Sequence, residues 1–370
     1  MDVIVGGGVV GLSAAWRLAR SGRPVTVVDP APVSGATHAA AGMLAPVSEV
    51  TFTEEPLLRL GAASLARWPA FAAELAAEAG LGSGALDYRA DGTLDVAFGA
   101  DDLAALEETA AFMEKLGLRV ERLSGRECRR LEPMLAPSVR GGLLAPGDAW
   151  VDPRRVAAAL LAALERLGVP MVRARVRELL RGDEGVQGVR LGPGEAGGGP
   201  YPEELRAERV VLAAGAWSGA LAEVPVRPVK GQILRLRSPR PLLGRCVRGM
   251  VHGLPVYLVP RGDGELVVGA TQEELGFDTR VTAGGVYELL RDARELVPGV
   301  TELELAEVVA GLRPGTPDNL PLIGPGGEPG LLLATGHHRG GVLLAPLTAA
   351  LLTGEEEELA PLCAPGRFAA

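Results

Sequence analysis

Three glycines near the start of the chain, Gly6, Gly8 and Gly11 in GGGVVG, have the spacing that lets a backbone wrap a dinucleotide pyrophosphate. Gly6 suits the tight turn, Gly8 lets the phosphates approach the main chain, and Gly11 permits close helix–strand packing. The anion would then meet the free N–H groups and positive dipole end of a helix. Asp29, eighteen residues past Gly11, ends the apolar run PVTVVD, where a carboxylate can accept hydrogen bonds from ribose hydroxyls. The glycines alone do not separate FAD from NAD. Far along the chain, Arg313 stands in GLRPGT, and a planar guanidinium can hold a carboxylate through two parallel hydrogen bonds. Tyr257 in YLVPR, one of four tyrosines, carries a hydroxyl able to donate to the same carboxylate. Each also has a plainer reading, a surface arginine and a half-buried strand tyrosine. The adjacent His337 and His338 are badly placed to ligate one metal, so no metal site is expected.

Positioning these residues requires strands that end at one place. Met1 to Val5 is a short apolar run, and LSAAWRLAR (Leu12 to Arg20) follows as a helix with Leu12, Ala15 and Ala19 on one face. Helical patterning recurs at about 56–79, 102–117, 153–167, 283–297 and 341–353. The stretches 169–191 and 208–214 read as further strands of the first sheet. The runs 226–237 and 245–270 read as longer antiparallel strands with turns at Gly253 and GDG. The chain is therefore α/β and α+β: a Rossmann-like dinucleotide-binding domain built from 1–80, 146–220 and 306–370, with an antiparallel-sheet substrate domain inserted as 81–145 and 221–305. GPGEAGGGP at 192–200 reads as a hairpin loop.

Composition narrows the classes. A net charge of −9 argues against non-specific nucleic-acid binding, and no apolar run approaches the ~20 residues of a membrane span. Met1 leads straight into a core strand, so a protein without a signal peptide, resident in the cytoplasm, is expected. Cys128, Cys246 and Cys363 are odd in number, widely spaced and in no CxxC pair, which suits reduced thiols. The basic residues number 37, of which only Lys115 and Lys230 are lysines.

Later segments separate the dinucleotides. THAAAGML (Thr37 to Leu44) has small side chains that allow backbone to approach a flat ring, and VVLAAGAWS (Val210 to Ser218) reads as a buried strand breaking at Ala-Gly. With RPVKGQ, YLVPR, GLRPGTPDNLPLIG and TGHHRGGVLLAP, their order and spacing resemble the D-amino-acid-oxidase-like family of FAD-dependent amine oxidases over nearly the whole chain, most closely its glycine-oxidising members. The resemblance implies an extended FAD, its pyrophosphate on Gly6, Gly8, Val9, Val10 and Gly11 and its ribose on Asp29, where a glutamate is usual in the family. It implies that Thr37, Ala41, Gly42 and Met43 line the flavin, that Val176 meets adenine, and that His337, His338, Arg339, Gly340, Gly341, Val342 and Leu343 close over the ring. Arg313 and Tyr257 become the carboxylate-binding pair, with Arg339 touching substrate or flavin. The residues Gly311 to Asp318 contain no cysteine of the kind that attaches flavin in monomeric sarcosine oxidases, so non-covalent FAD is implied. The implied reaction is oxidative deamination of glycine or another small amine. Oxygen would act as acceptor and the imine would serve thiamine biosynthesis. A D-amino-acid, sarcosine or proline oxidase or dehydrogenase, and a non-catalytic flavoprotein subunit, stay open, as does a homo-oligomeric state.

Overall fold

The computed structural model describes residues 1–192 and 201–368. The loop expected at 192–200 therefore lies, beyond Gly192, outside the described residues.

The first apolar runs form a six-stranded sheet in the order Leu322–Pro325, Leu331–Thr335, Arg209–Leu212, Asp2–Val5, Val25–Val28, Met171–Val172. All neighbours are parallel except the edge pair Leu322–Pro325 and Leu331–Thr335. A parallel sheet buries both faces. Helices Val9–Arg20, Glu55–Glu78, Pro153–Arg166 and Ala345–Leu352 cover one side around Trp16, Trp68 and Phe71. The other side packs on a separate three-stranded antiparallel sheet, Arg175–Gly182, Gly185–Gly192 and Glu204–Arg206. This corrects the expectation for 169–191, of which only Met171–Val172 joins the first sheet. Apolar strand runs do not reveal which sheet they enter.

The second sheet has eight strands in the order Glu304–Gly315, Arg227–Arg237, Glu265–Gly269, Leu254–Pro260, Cys246–Val251, Thr93–Ala97, Gly141–Ala145, Glu121–Ser124. Two differences from the expected division appear. Residues 306–315 belong to this sheet, because Glu304–Gly315 pairs with Arg227–Arg237 along its whole length. The sheet also has one parallel pair, Cys246–Val251 with Thr93–Ala97, where the two inserted segments meet without a hairpin.

Alternation along these strands separates two faces. Leu234, Leu236, Leu258 and Val268 face helix Ala283–Leu296 and pack on Leu289, Ala293 and Leu296. Gly231, Ile233 and Arg235, with Tyr257, Val259 and Arg261, and Arg313 two positions beyond Gly311, turn the other way, toward the first domain. The three cysteines are unpaired and buried. No helix among the described residues is long and apolar enough to cross a membrane.

Candidate active site

Between the two sheets lies a cavity of about 800 Å³, and one end of it is the glycine turn. Gly6 has φ +117°, and a Cβ there would meet the Ala213 carbonyl at 2.2 Å. A Cβ on Gly11 would meet the Gly6 carbonyl at 2.0 Å, so Gly11 serves the packing rather than the lining. Asp29 braces the turn: one oxygen accepts from the Gly7 N–H at 2.6 Å and the other from the Ala31 N–H at 2.8 Å. Thr37 accepts from the Val9 N–H at 3.0 Å. The N–H groups of Gly8, Val10 and Gly11 have no acceptor among the described residues. Of these, Gly8 and Val10 line the cavity, and free donors at the positive end of a helix suit a pyrophosphate. The residues present thus fit a dinucleotide cofactor.

Along the cavity run Val176, Thr37, Ala41, Gly42 and Met43, then His337, His338, Arg339, Gly341 and Val342. Gly340 and Leu343 do not line it. The Leu343 carbonyl accepts from Ser64 Oγ at 2.6 Å and Trp68 Nε1 at 2.9 Å, which fastens the turn into helix Ala345–Leu352. His337 is buried, with Nε2 2.9 Å from Thr348 Oγ1. Since that hydroxyl donates to the Leu344 carbonyl, His337 is the donor and carries its proton on Nε2. Burial pushes its pKa down to about 3. Burial, reinforced by Arg339 and Arg313, pushes His338 down to about 4.

Arg313 lies over bare backbone: a Cβ on Gly231 would sit 2.4 Å from both of its terminal nitrogens. Its Nη1 lies 3.4 Å from the Lys230 carbonyl and 3.3 Å from that of Thr271, and no carboxylate among the described residues lies within 4 Å. Tyr257 stands beside it. Burial pushes that phenol up to about 12, while the Arg313 guanidinium pulls the other way, so the hydroxyl remains a donor. Arg339 also lines the cavity, but it pairs with the Glu54 carboxylate.

Sequence reasoning missed Arg248 and Glu49, which line the same cavity. Arg248 is the direct cross-strand partner of Tyr257, so the two project side by side. Its Nη1 donates to the Ser48 carbonyl at 2.7 Å, and its nearest carboxylate is Asp95 at 3.9 Å. Strand alternation in CVRGMV placed Arg248 on a definite face, but nothing local identified that face as the cavity side. Gln272, between Thr271 and Glu273, lines it too.

The family model described as FAD dependent oxidoreductase matches residues 3–354. A bifunctional ThiO/ThiG protein of Nostoc sp. is 36% identical over 358 residues, covering 95% of this chain and 51% of that protein. The chain thus spans about half the length of such bifunctional relatives. The crystal structure of glycine oxidase from Geobacillus kaustophilus matches with a TM-score of 0.88 at 34% identity, covering 100% of this chain and 99% of that one. Iminodiacetate oxidase from Chelativorans sp. BNC1 matches with a TM-score of 0.85 at 28% identity, covering 99% of each. The glycine turn, its free donors and the match across both sheets agree: this chain belongs to the FAD-dependent oxidoreductase family.

Proposed function

We propose that this protein oxidises the α-amine of glycine or another small amino acid to the imine. In this reading it is a cytoplasmic enzyme with oxygen as acceptor and hydrogen peroxide as second product, and the imine supplies thiamine biosynthesis. The observation that carries it is Arg313, a guanidinium in the cofactor's cavity with no carboxylate of its own within 4 Å. A substrate carboxylate completes it, with two parallel N–H···O bonds and a third from the Tyr257 hydroxyl. Bound FAD supplies the two-electron acceptor for the α-hydrogen and its electron pair. Arg313 and Tyr257 fix the carboxylate, and through it the neighbouring α-carbon, in one orientation, which supplies much of the rate. The imine then leaves or is hydrolysed. The family names of the relatives, glycine oxidase among them, support the amine over an alcohol.

Arg248 favours a second reading, oxidation of amines with a second carboxylate, such as the iminodiacetate named for the Chelativorans neighbour. Its guanidinium flanks Tyr257 on the cavity wall, where a second anionic arm would reach it. The test is anaerobic mixing of the yellow protein with glycine, sarcosine, D-alanine, D-proline, iminodiacetate and a 2-hydroxy acid. Bleaching of the flavin band near ~450 nm reports reduction, and peroxide is measured after air is admitted. Fast bleaching by glycine, with peroxide, supports the first reading. Preference for iminodiacetate supports the second, and bleaching without reoxidation makes the protein a dehydrogenase. No bleaching by any of them overturns both in favour of a non-catalytic flavoprotein.

A further inference from the structure

Two arginines in the interior have no role in the reaction as described. Arg235 and Arg261 are each 1% exposed. Arg261 Nε and Nη1 and Arg235 Nε have no hydrogen-bond partner among the described residues. Arg235 pairs with Glu265 at 2.5 Å, whereas no carboxylate among the described residues lies within 4 Å of Arg261. A buried cation so poorly matched is costly, and burial pulls the Arg261 pKa below its ordinary value. Asp152, Glu265 and Asp87 offset the charge only from a distance.

What these groups do reach is main chain that lines the cavity. Arg261 Nη2 donates to the Ala41 carbonyl at 2.5 Å. Arg235 Nη2 lies 3.4 Å from the carbonyls of both His38 and Ala40. Arg154 Nε adds a bond to the His38 carbonyl at 2.9 Å. In a trans peptide the N–H points opposite to the preceding C=O. Carbonyls of Ala40 and Ala41 held by arginines on one side therefore turn the N–H groups of Ala41 and Gly42 to the other. Ala40, Ala41 and Gly42 all line the cavity, and neither N–H has an acceptor among the described residues.

We propose that Arg261 and Arg235 are positioning residues that aim the Ala41 and Gly42 N–H groups at the flavin and favour its electron-rich form. Two fixed donors, backed by cations, stabilise negative charge on the ring more than they stabilise the neutral ring. The inference rests on the family's cofactor and is independent of which amine is oxidised.

The experiment uses FAD-loaded protein and reads the affinity for sulfite, which adds to oxidised flavin and leaves the ring negatively charged, together with the flavin midpoint potential. Arg261→Met is expected to bind sulfite about tenfold or more weakly and to lower the potential, while Arg261→Lys stays close to the parent protein. Glu265→Gln, which removes a nearby negative charge, is expected to shift both readouts the opposite way. Unchanged sulfite affinity and potential in FAD-loaded Arg261→Met overturns the proposal. So does an Arg261→Lys protein that behaves like Arg261→Met. Should Arg261→Met fail to fold, an unchanged or opposite response of Glu265→Gln overturns it. Failure of the parent protein to take up FAD would instead contradict the cofactor reading itself.

Discussion

Arg313 is a cation placed over glycine, beside Tyr257 and two backbone carbonyls, with no carboxylate among the described residues within 4 Å. Its replacement should therefore act on substrate and leave the cofactor alone. Arg313→Ala is expected to lower kcat/KM on the order of a thousandfold, the loss of a desolvated charge-assisted pair, while the protein stays yellow. Steady-state kinetics beside the flavin absorbance of the same sample checks both halves; normal turnover would remove the assigned role. The family resemblance draws attention to Arg313 and Tyr257, since on their own these residues leave a surface arginine and a half-buried strand tyrosine open, and both line the cavity. Arg248 does not stand out, since it is one arginine in a chain whose 37 basic residues include only two lysines. Only the strand pairing with Tyr257 gives it a meaning.

At the scale of elements, the strand Arg227–Arg237 decides which groups face the cavity. Its alternation gives Gln232, Leu234 and Leu236 to the helix side and Gly231, Ile233 and Arg235 to the cavity side. Gly231 is the position without a side chain, and Arg313 occupies that space. Gly231→Ala is expected to leave the fold intact, since the colliding atoms are the far end of a flexible side chain. It should nonetheless push the guanidinium aside and cost about tenfold or more in kcat/KM, chiefly through KM, because a small displacement of a positioning group is expensive. Substrate kinetics with a circular-dichroism control would show it; an unchanged KM would mean that Arg313 tolerates displacement. Strong periodicity made the helices and the first βαβ unit legible to within a few residues. Sheet membership was not legible, because period-2 patterning names a face and not a neighbour. That is why 175–191 reads as strand of the first sheet, and 306–315 as part of the dinucleotide-binding domain, until the pairing is known.

Across the whole molecule, the cavity lies between two domains that each pack around hydrophobic cores of their own. A ligand spanning it should hold them together. Calorimetry of the apoprotein with FAD at a hundred times its dissociation constant is expected to show about 2.7 kcal/mol of added stability. Absence of any shift would argue against a site made jointly by both domains. The acid limb follows from His337, neutral in the fold with a pKa of about 3 against an ordinary 6.5. A depressed histidine contributes stability that is present above pH 6.5 and lost as pH falls toward 3, at up to about 1.4 kcal/mol per pH unit. Asp148, pushed up to about 6 by burial, works in the opposite direction over part of that range. Denaturant melts at pH 7 and pH 5 should therefore show a smaller pH loss for His337→Gln than for the parent. An equal loss would assign the acid sensitivity elsewhere. The three buried cysteines bear on survival during turnover. Burial raises the thiol pKa of each, to about 11 for Cys128 and Cys363 and further for Cys246, so almost no thiolate exists at neutral pH. Thiolate is the form that oxidants attack. A catalyst that generates peroxide beside its own backbone would thus present almost no cysteine thiolate to it.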